Sequence, residues 1–243
     1  MKTERKTTVI VGVLFIAATT ASLSGNALTG SILAAPDYLA GVAASANRVI
    51  IGALLTFLAA AGSAGIAIAL YPVLKKHHEG LALGSVGFRL IEGVFYIVDA
   101  LCLVAVVVVS QHVVNAGGQN VSTLQTISDL LLAIGDLAGF VFAVFAFCLG
   151  GLMYYVIFYQ AKLVPRWLSI WGMIALVLLL AAVLLTLFDG EPFSVSGNLI
   201  YLALPIALQE LVLAVWLIVK GFNSSTIASG SAKTATKELF STT

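Results

Sequence analysis

The chain has 243 residues, of which 60% are apolar and only 9% charged, with a formal net charge of +1 at pH 7 and a mean hydropathy of +1.09. A soluble domain of this length cannot hide so much apolar surface from water, and the near-neutral balance, with no basic patch among aromatics, gives nucleic acid nothing to bind. Composition therefore predicts an all-α polytopic membrane protein, a bundle of about six transmembrane helices of roughly 20 apolar residues each.

The first expected span runs from Thr8 to Leu28, behind the basic leader Lys2, Arg5 and Lys6. A cleaved leader peptide would share that pattern, but the Ser, Thr and Gly content favours a retained helix packed closely against neighbours. Residues Ser31–Asn47 carry Pro36, Asp37 and Tyr38 and read as an exposed loop with an interfacial turn. The second span, Arg48–Leu74, is dense in Ala and Gly and leads into the polar turn Lys75–Gly80. A third span covers Leu83–Gln111, followed by a polar loop, His112–Thr126. The fourth, Ile127–Tyr159, is followed by the turn Gln160–Arg166, the fifth by the acidic loop Asp189–Asn198. That fifth span is Trp167–Phe188 and the sixth is Leu199–Lys220. Residues 1–222 thus form one transmembrane domain, and the Ser- and Thr-rich tail over 223–243 reads as disordered.

Six spans place Lys2, Arg5, Lys6, Lys75, Lys76, Lys162, Arg166, Lys220, Lys233 and Lys237 on one side of the membrane. Only Arg48 falls opposite, with Asp37, Asp189 and Glu191. By the bias of Lys and Arg towards the cytoplasm, both termini are expected on the cytoplasmic side of the cell membrane.

Ionisable residues within a span are costly and are functional candidates by default. Here they are Arg89, Glu92, Asp99, Asp136 and Glu210, with Arg48 and Asp129 nearer the outer surface. At about 100° per residue, Arg89, Glu92, Tyr96 and Asp99 share one face of the third helix. Arg89 and Glu92 are spaced to pair within the helix, and Arg48 could meet Asp129. Asp99, Asp136 and Glu210 then lack a basic partner, and counting from the outer ends puts them at similar depth near mid-membrane. A carboxylate isolated in lipid favours its neutral, protonated form. The trio is therefore expected to share protons, to bond to one another or to Tyr96, or to hydrate a small polar cavity.

Other features carry less. Cys102 and Cys148 lie in apolar runs at different depths, so neither a disulfide nor a metal site is expected. His77 and His78 sit beside lysines in a turn, and His112 stands alone at the outer edge. No histidine set suits a zinc hydrolase or haem, no buried histidine activates a serine, and no cofactor is expected. Tyr159, Trp167 and Trp171 read as an interfacial aromatic belt. The Gly-x-x-x-Gly pairs Gly80/Gly84 and Gly135/Gly139 are common packing motifs.

Four separated segments carry a resemblance: Ala69–Lys76, Gly87–Gly93, Pro165–Gly172, and Pro205–Glu210 with Trp216–Phe222. Their order resembles the bacterial membrane family of domain of unknown function 4386, over most of the chain to Phe222. The resemblance implies a bacterial multi-pass membrane protein without an assigned activity, and supplies no catalytic residues. Arg89, Glu92 and Glu210 lie inside the matching segments, whereas Asp99 and Asp136 do not.

Two functional readings follow. One is a small transporter, or a proton- or ligand-responsive membrane protein, built on Asp99, Asp136 and Glu210 and tuned by Arg89 and Glu92. The other is a structural or interaction protein whose buried charges fix helix register. A lipid-acting enzyme comes third, since no nucleophile stands beside an acid or base. The partners expected are membrane lipid and a small ligand or proton.

Overall fold

The computed structural model describes residues 2–115, 121–189 and 201–223. Among them the chain is helices joined by short turns, with no strand, as the apolar segments require. In lipid a helix satisfies its own backbone amides and carbonyls, which an open strand cannot do. The elements are α1 (Lys2–Leu33), α2 (Tyr38–Ala44), α3 (Ala46–Leu74), α4 (Glu79–Asn115), α5 (Val121–Asp136), a π-helical segment (Leu137–Phe142), α6 (Ala143–Gln160), α7 (Arg166–Asp189) and α8 (Leu204–Val219). The helix α5, the π segment and α6 run on as one rod, Val121–Gln160. Five helices are long and apolar enough to cross a membrane, and α8 is a sixth, shorter apolar helix. The chain is an all-α polytopic membrane bundle. Large apolar side chains such as Leu54, Leu101, Leu130 and Val177 are more than half exposed on its outside, as helices bathed in lipid should be.

The helices form a closed ring in chain order. Helix α1 packs on α3, α3 on α4, α4 on α6, α6 on α7, α7 on α8, and α8 returns to α1. Small residues permit the closest approaches. A Cβ added at Gly12 would lie 2.7 Å from the Ala214 carbonyl oxygen of α8, and one at Gly62 would lie 2.9 Å from Ala18 Cβ. The first apolar segment is thus packed into the bundle and gives Val11 and Phe15 to its larger core.

That core also takes Leu70, Tyr154, Phe158, Leu168, Leu213 and Phe222. It lies towards the end where α1 starts and α8 stops. There the Arg5 guanidinium donates to the carbonyls of Leu217, Ile218 and Val219, and the Asn223 amide donates to Leu163 O at 2.9 Å. The start of α1, the α6–α7 turn and the exit of α8 therefore meet at one end, as an even number of spans requires.

A smaller core at the other end joins Ile32, Tyr38, Leu39, Val42, Val49, Leu103 and Val106. Two expectations change here. The stretch Ser31–Asn47 is not a simple exposed loop. Tyr38, Leu39 and Val42 fall on one face of α2 and are buried, because that face packs on α4. Likewise α4 runs to Asn115 and α5 starts at Val121, so most of the expected loop His112–Thr126 is helix. At 1.5 Å per residue α4 is roughly 55 Å long, well beyond a bilayer core of about 30 Å, and its far end is sheltered by α2. The acidic loop expected at Asp189–Asn198 and the expected disordered tail lie, but for Asp189 and Asn223, outside the described residues.

Candidate functional site

The ring forms a part-open cavity of about 170 Å³, its wall mostly apolar with a few polar and charged groups set into it. Every helix of the ring contributes to its wall: Thr19 from α1, Ser63 from α3, Arg89, Glu92 and Tyr96 from α4, Phe147 from α6, Leu179 from α7 and Glu210 from α8. Leu23, 57% exposed, belongs to the same lining and forms its rim.

Arg89 is the hub. It is 1% exposed, and α4 carries it inward on the same face as Glu92. Its Nη1 donates to Ser63 Oγ at 3.0 Å and to Glu92 Oε2 at 3.1 Å. Its Nη2 donates to Tyr154 Oη at 3.0 Å and lies 3.8 Å from Glu210 Oε1. The guanidinium carbon sits 4.4 Å from the centre of the Phe147 ring, a cation–π contact made stronger by burial. Arg89 Nε meets no acceptor among the described residues. Glu210 in turn accepts from Thr19 Oγ1 at 3.2 Å. Next to it Gln209 accepts from Tyr155 Oη and donates to Leu168 O at 3.1 Å, tying α8 to α6 and α7.

The pairing of Arg89 with Glu92 is the one their spacing predicts. Glu210 differs from expectation, since the closing of the ring brings it to Arg89, so it has a basic partner. Asp99 and Asp136 do not line the cavity. Asp99 is seven residues beyond Glu92, about 10 Å further along α4, and packs against the α5–π junction. A Cβ at Gly139 would lie 3.0 Å from both Cγ and Oδ2 of Asp99, and one at Gly135 3.1 Å from Oδ1. The glycines seen as a packing motif thus form the seat of a carboxyl group. Asp136 ends α5 at the same place and is close enough for its charge to act on Asp99. The π segment begins at the next residue, its register shown by the Ala143 amide donating to Ala138 O. Such single-turn insertions are frequent where a helix serves a site. The expected trio is therefore split into Glu210 at the central cavity and an Asp99–Asp136 pair nearer the other end, with Tyr96 between them on α4.

The proposed partner of Asp129 also changes. Asp129 accepts from Tyr38 Oη at 2.6 Å and Gln125 Nε2 at 3.0 Å, so a hydroxyl from α2 takes the place foreseen for Arg48. Burial and the neighbouring Asp129 push the Tyr38 phenol above its ordinary range.

Sequence reasoning missed Ser63, Tyr154, Phe147 and Thr19. Ser63, Tyr154 and Thr19 are polar groups inside apolar spans, a signal that a search limited to ionisable residues passes over. Phe147 carries no such mark. Among the described residues no group of His, Cys, Asp or Glu is arranged to hold a metal ion, and Cys102 and Cys148 are free thiols.

The family model for the domain of unknown function DUF4386 matches residues 10–221. The chain belongs to that family. No curated protein matches it, and no solved structure does.

Proposed function

For this member of the DUF4386 family, we propose a small transporter or proton-responsive membrane protein that works through its central cavity. The observation that carries the reading is the content of that cavity, one guanidinium and two carboxyl groups in a space walled by the whole ring. With both carboxyls ionised the cluster carries one negative charge in excess. Asp99 and Asp136 add two more within the bundle, with no cation paired to either among the described residues. The occupant that balances this interior is a proton or a small cation. At about 30 Å³ per water, the volume suits about six waters or one small ligand. Ionisable groups lining an intramembrane cavity are the usual markers of ion and proton pathways.

The test uses the full chain in liposomes loaded with a pH-sensitive dye. The wild type is expected to dissipate an imposed pH gradient, Glu210→Gln to abolish that flux, and Asp99→Asn with Asp136→Asn to abolish it too. Equal flux in wild type and Glu210→Gln at equal incorporation would sink the proposal.

A second reading is favoured by the partners that both terminal nitrogens of Arg89 find. In it the cluster only fixes the register of the ring, and the protein is a structural or interaction partner in the membrane. Replacing Arg89, Glu92 and Glu210 together by Met, Leu and Leu would then leave any cellular phenotype intact, as buried ion clusters are often replaceable. Loss of the phenotype from a folded triple variant would exclude this reading.

A further inference from the structure

At the end of the bundle where α1 starts and α8 stops lies a second pocket, of about 540 Å³. It falls within the range of roughly 300–1,000 Å³ usual for ligand sites. Its wall is the α6–α7 turn (Lys162, Leu163, Val164, Pro165, Arg166) facing the end of α8 (Trp216, Lys220 to Asn223). Three of these residues are cations and none is an acid.

Local structure explains how the cations converge. Helix α6 ends with the Leu163 amide on Phe158 O and the Lys162 amide on Tyr159 O. This double closure puts its left-handed residue at Lys162, with φ 51°, where glycine is the usual choice. Arg166 opens α7, its guanidinium carbon 5.2 Å from the Tyr159 ring centre. The first amides of α7 add partial positive charge. Helix α8 ends opposite, and its negative end would normally offset these groups. Here Arg5 takes the carbonyls of Leu217, Ile218 and Val219. Gly221, with φ 72°, completes the turn, and a Cβ there would lie 3.2 Å from Arg5 Nη1. The segment after it is fastened by Phe222 against Phe158, ring centres 5.8 Å apart, and by the Asn223 amide on Leu163 O. Among the described residues the pocket wall thus holds cations and no acid, and the last carbonyls of α8 are already taken by Arg5.

Its position fixes the class of ligand. Trp167 and Trp171 stack at 6.3 Å on the adjoining first turns of α7, the residue type that sits at the headgroup level. Lys and Arg are concentrated at this end of the bundle, the side on which anionic lipid headgroups attract basic groups. We propose that Lys162, Arg166 and Lys220 form a site for the phosphate of an anionic phospholipid headgroup. The site is independent of the central cavity and does not require transport.

The experiment titrates the purified full-length protein with phosphatidylglycerol and, separately, phosphatidylcholine, reading bound lipid by native mass spectrometry. Changing Lys162, Arg166 and Lys220 together to Gln should weaken phosphatidylglycerol binding on the order of 100-fold, leaving phosphatidylcholine unchanged. Lys162→Gly alone should weaken it about fivefold. Because glycine suits the left-handed position, that variant should unfold no earlier than wild type, so it remains informative if the triple variant does not fold. Unchanged phosphatidylglycerol binding in either folded variant would overturn the site. Displacement of the lipid by equimolar glycerol 3-phosphate would also overturn it, assigning the pocket to soluble phosphates.

Discussion

Glu210 and Asp99 are both carboxyl groups carried by apolar helices of the ring, yet they live in different surroundings. Glu210 is held by a guanidinium, a threonine hydroxyl and the wall of a cavity. Asp99 is pressed against two glycines at a helical irregularity, with another acid for company. The first environment compensates charge and makes the protein depend on it. The second only makes room for a side chain and leaves its charge to be balanced by something else. The contrast separates a carboxyl matched by a guanidinium from one that is only given room.

The sharpest way to test that contrast is Arg89→Met. It leaves two buried carboxyls without their cation and should cost about 3–5 kcal/mol, read by unfolding in mixed micelles. The apolar triple at Arg89, Glu92 and Glu210 should return to within about 1 kcal/mol of wild type. A loss below about 1 kcal/mol for Arg89→Met alone would mean water already serves the carboxyls.

Gly139→Ala comes next. Its added methyl meets the Asp99 carboxyl and should cost about 1–3 kcal/mol by overpacking. In an Asp99→Ala background the cost should vanish. If it persists there, the π segment itself, not the carboxyl, requires the glycine. At the end of the bundle away from Arg5, Tyr38→Phe removes the hydroxyl that reaches Asp129 and should cost about 1 kcal/mol. Asp136→Asn should have the smallest effect, within about 0.5 kcal/mol of wild type or slightly stabilising, because it removes a like-charged neighbour. A loss above about 2 kcal/mol would show that Asp136 has a partner as firm as that of Glu210.

The apolar segments were legible in the sequence because lipid imposes a length and a composition on any helix that crosses it. The Arg89–Glu92 pair was legible for a related reason, since neighbours three apart on one helix do not depend on tertiary structure. The meeting of Glu210 with Arg89 was not. It depends on α8 returning to α1, and nothing in the hydropathy of either helix specifies which neighbour it will choose. Depth counted from helix ends also misled, because α4 and the α5–α6 rod extend beyond the membrane and their ends do not mark its surface. Residues 31–47 hid a helix for the same reason. Tyr38, Leu39 and Val42 look like a short polar-flanked stretch until the overhanging part of α4 gives them a surface to cover.

The closed ring also sets an order of events during synthesis. Helix α4, with its guanidinium, emerges and inserts well before α8 exists. Throughout that interval Glu92, one turn away on the same helix, is the countercharge that Arg89 brings with it. Ser63 is already in place on α3, and Tyr154 and Phe147 arrive with α6. Glu210 comes last, on α8, which in the finished bundle lies between α7 and α1. A ribosome halted before residue 204 would leave a bundle with a gap between those two helices and its polar interior open to lipid. Such a chain should be a ready target for membrane quality control.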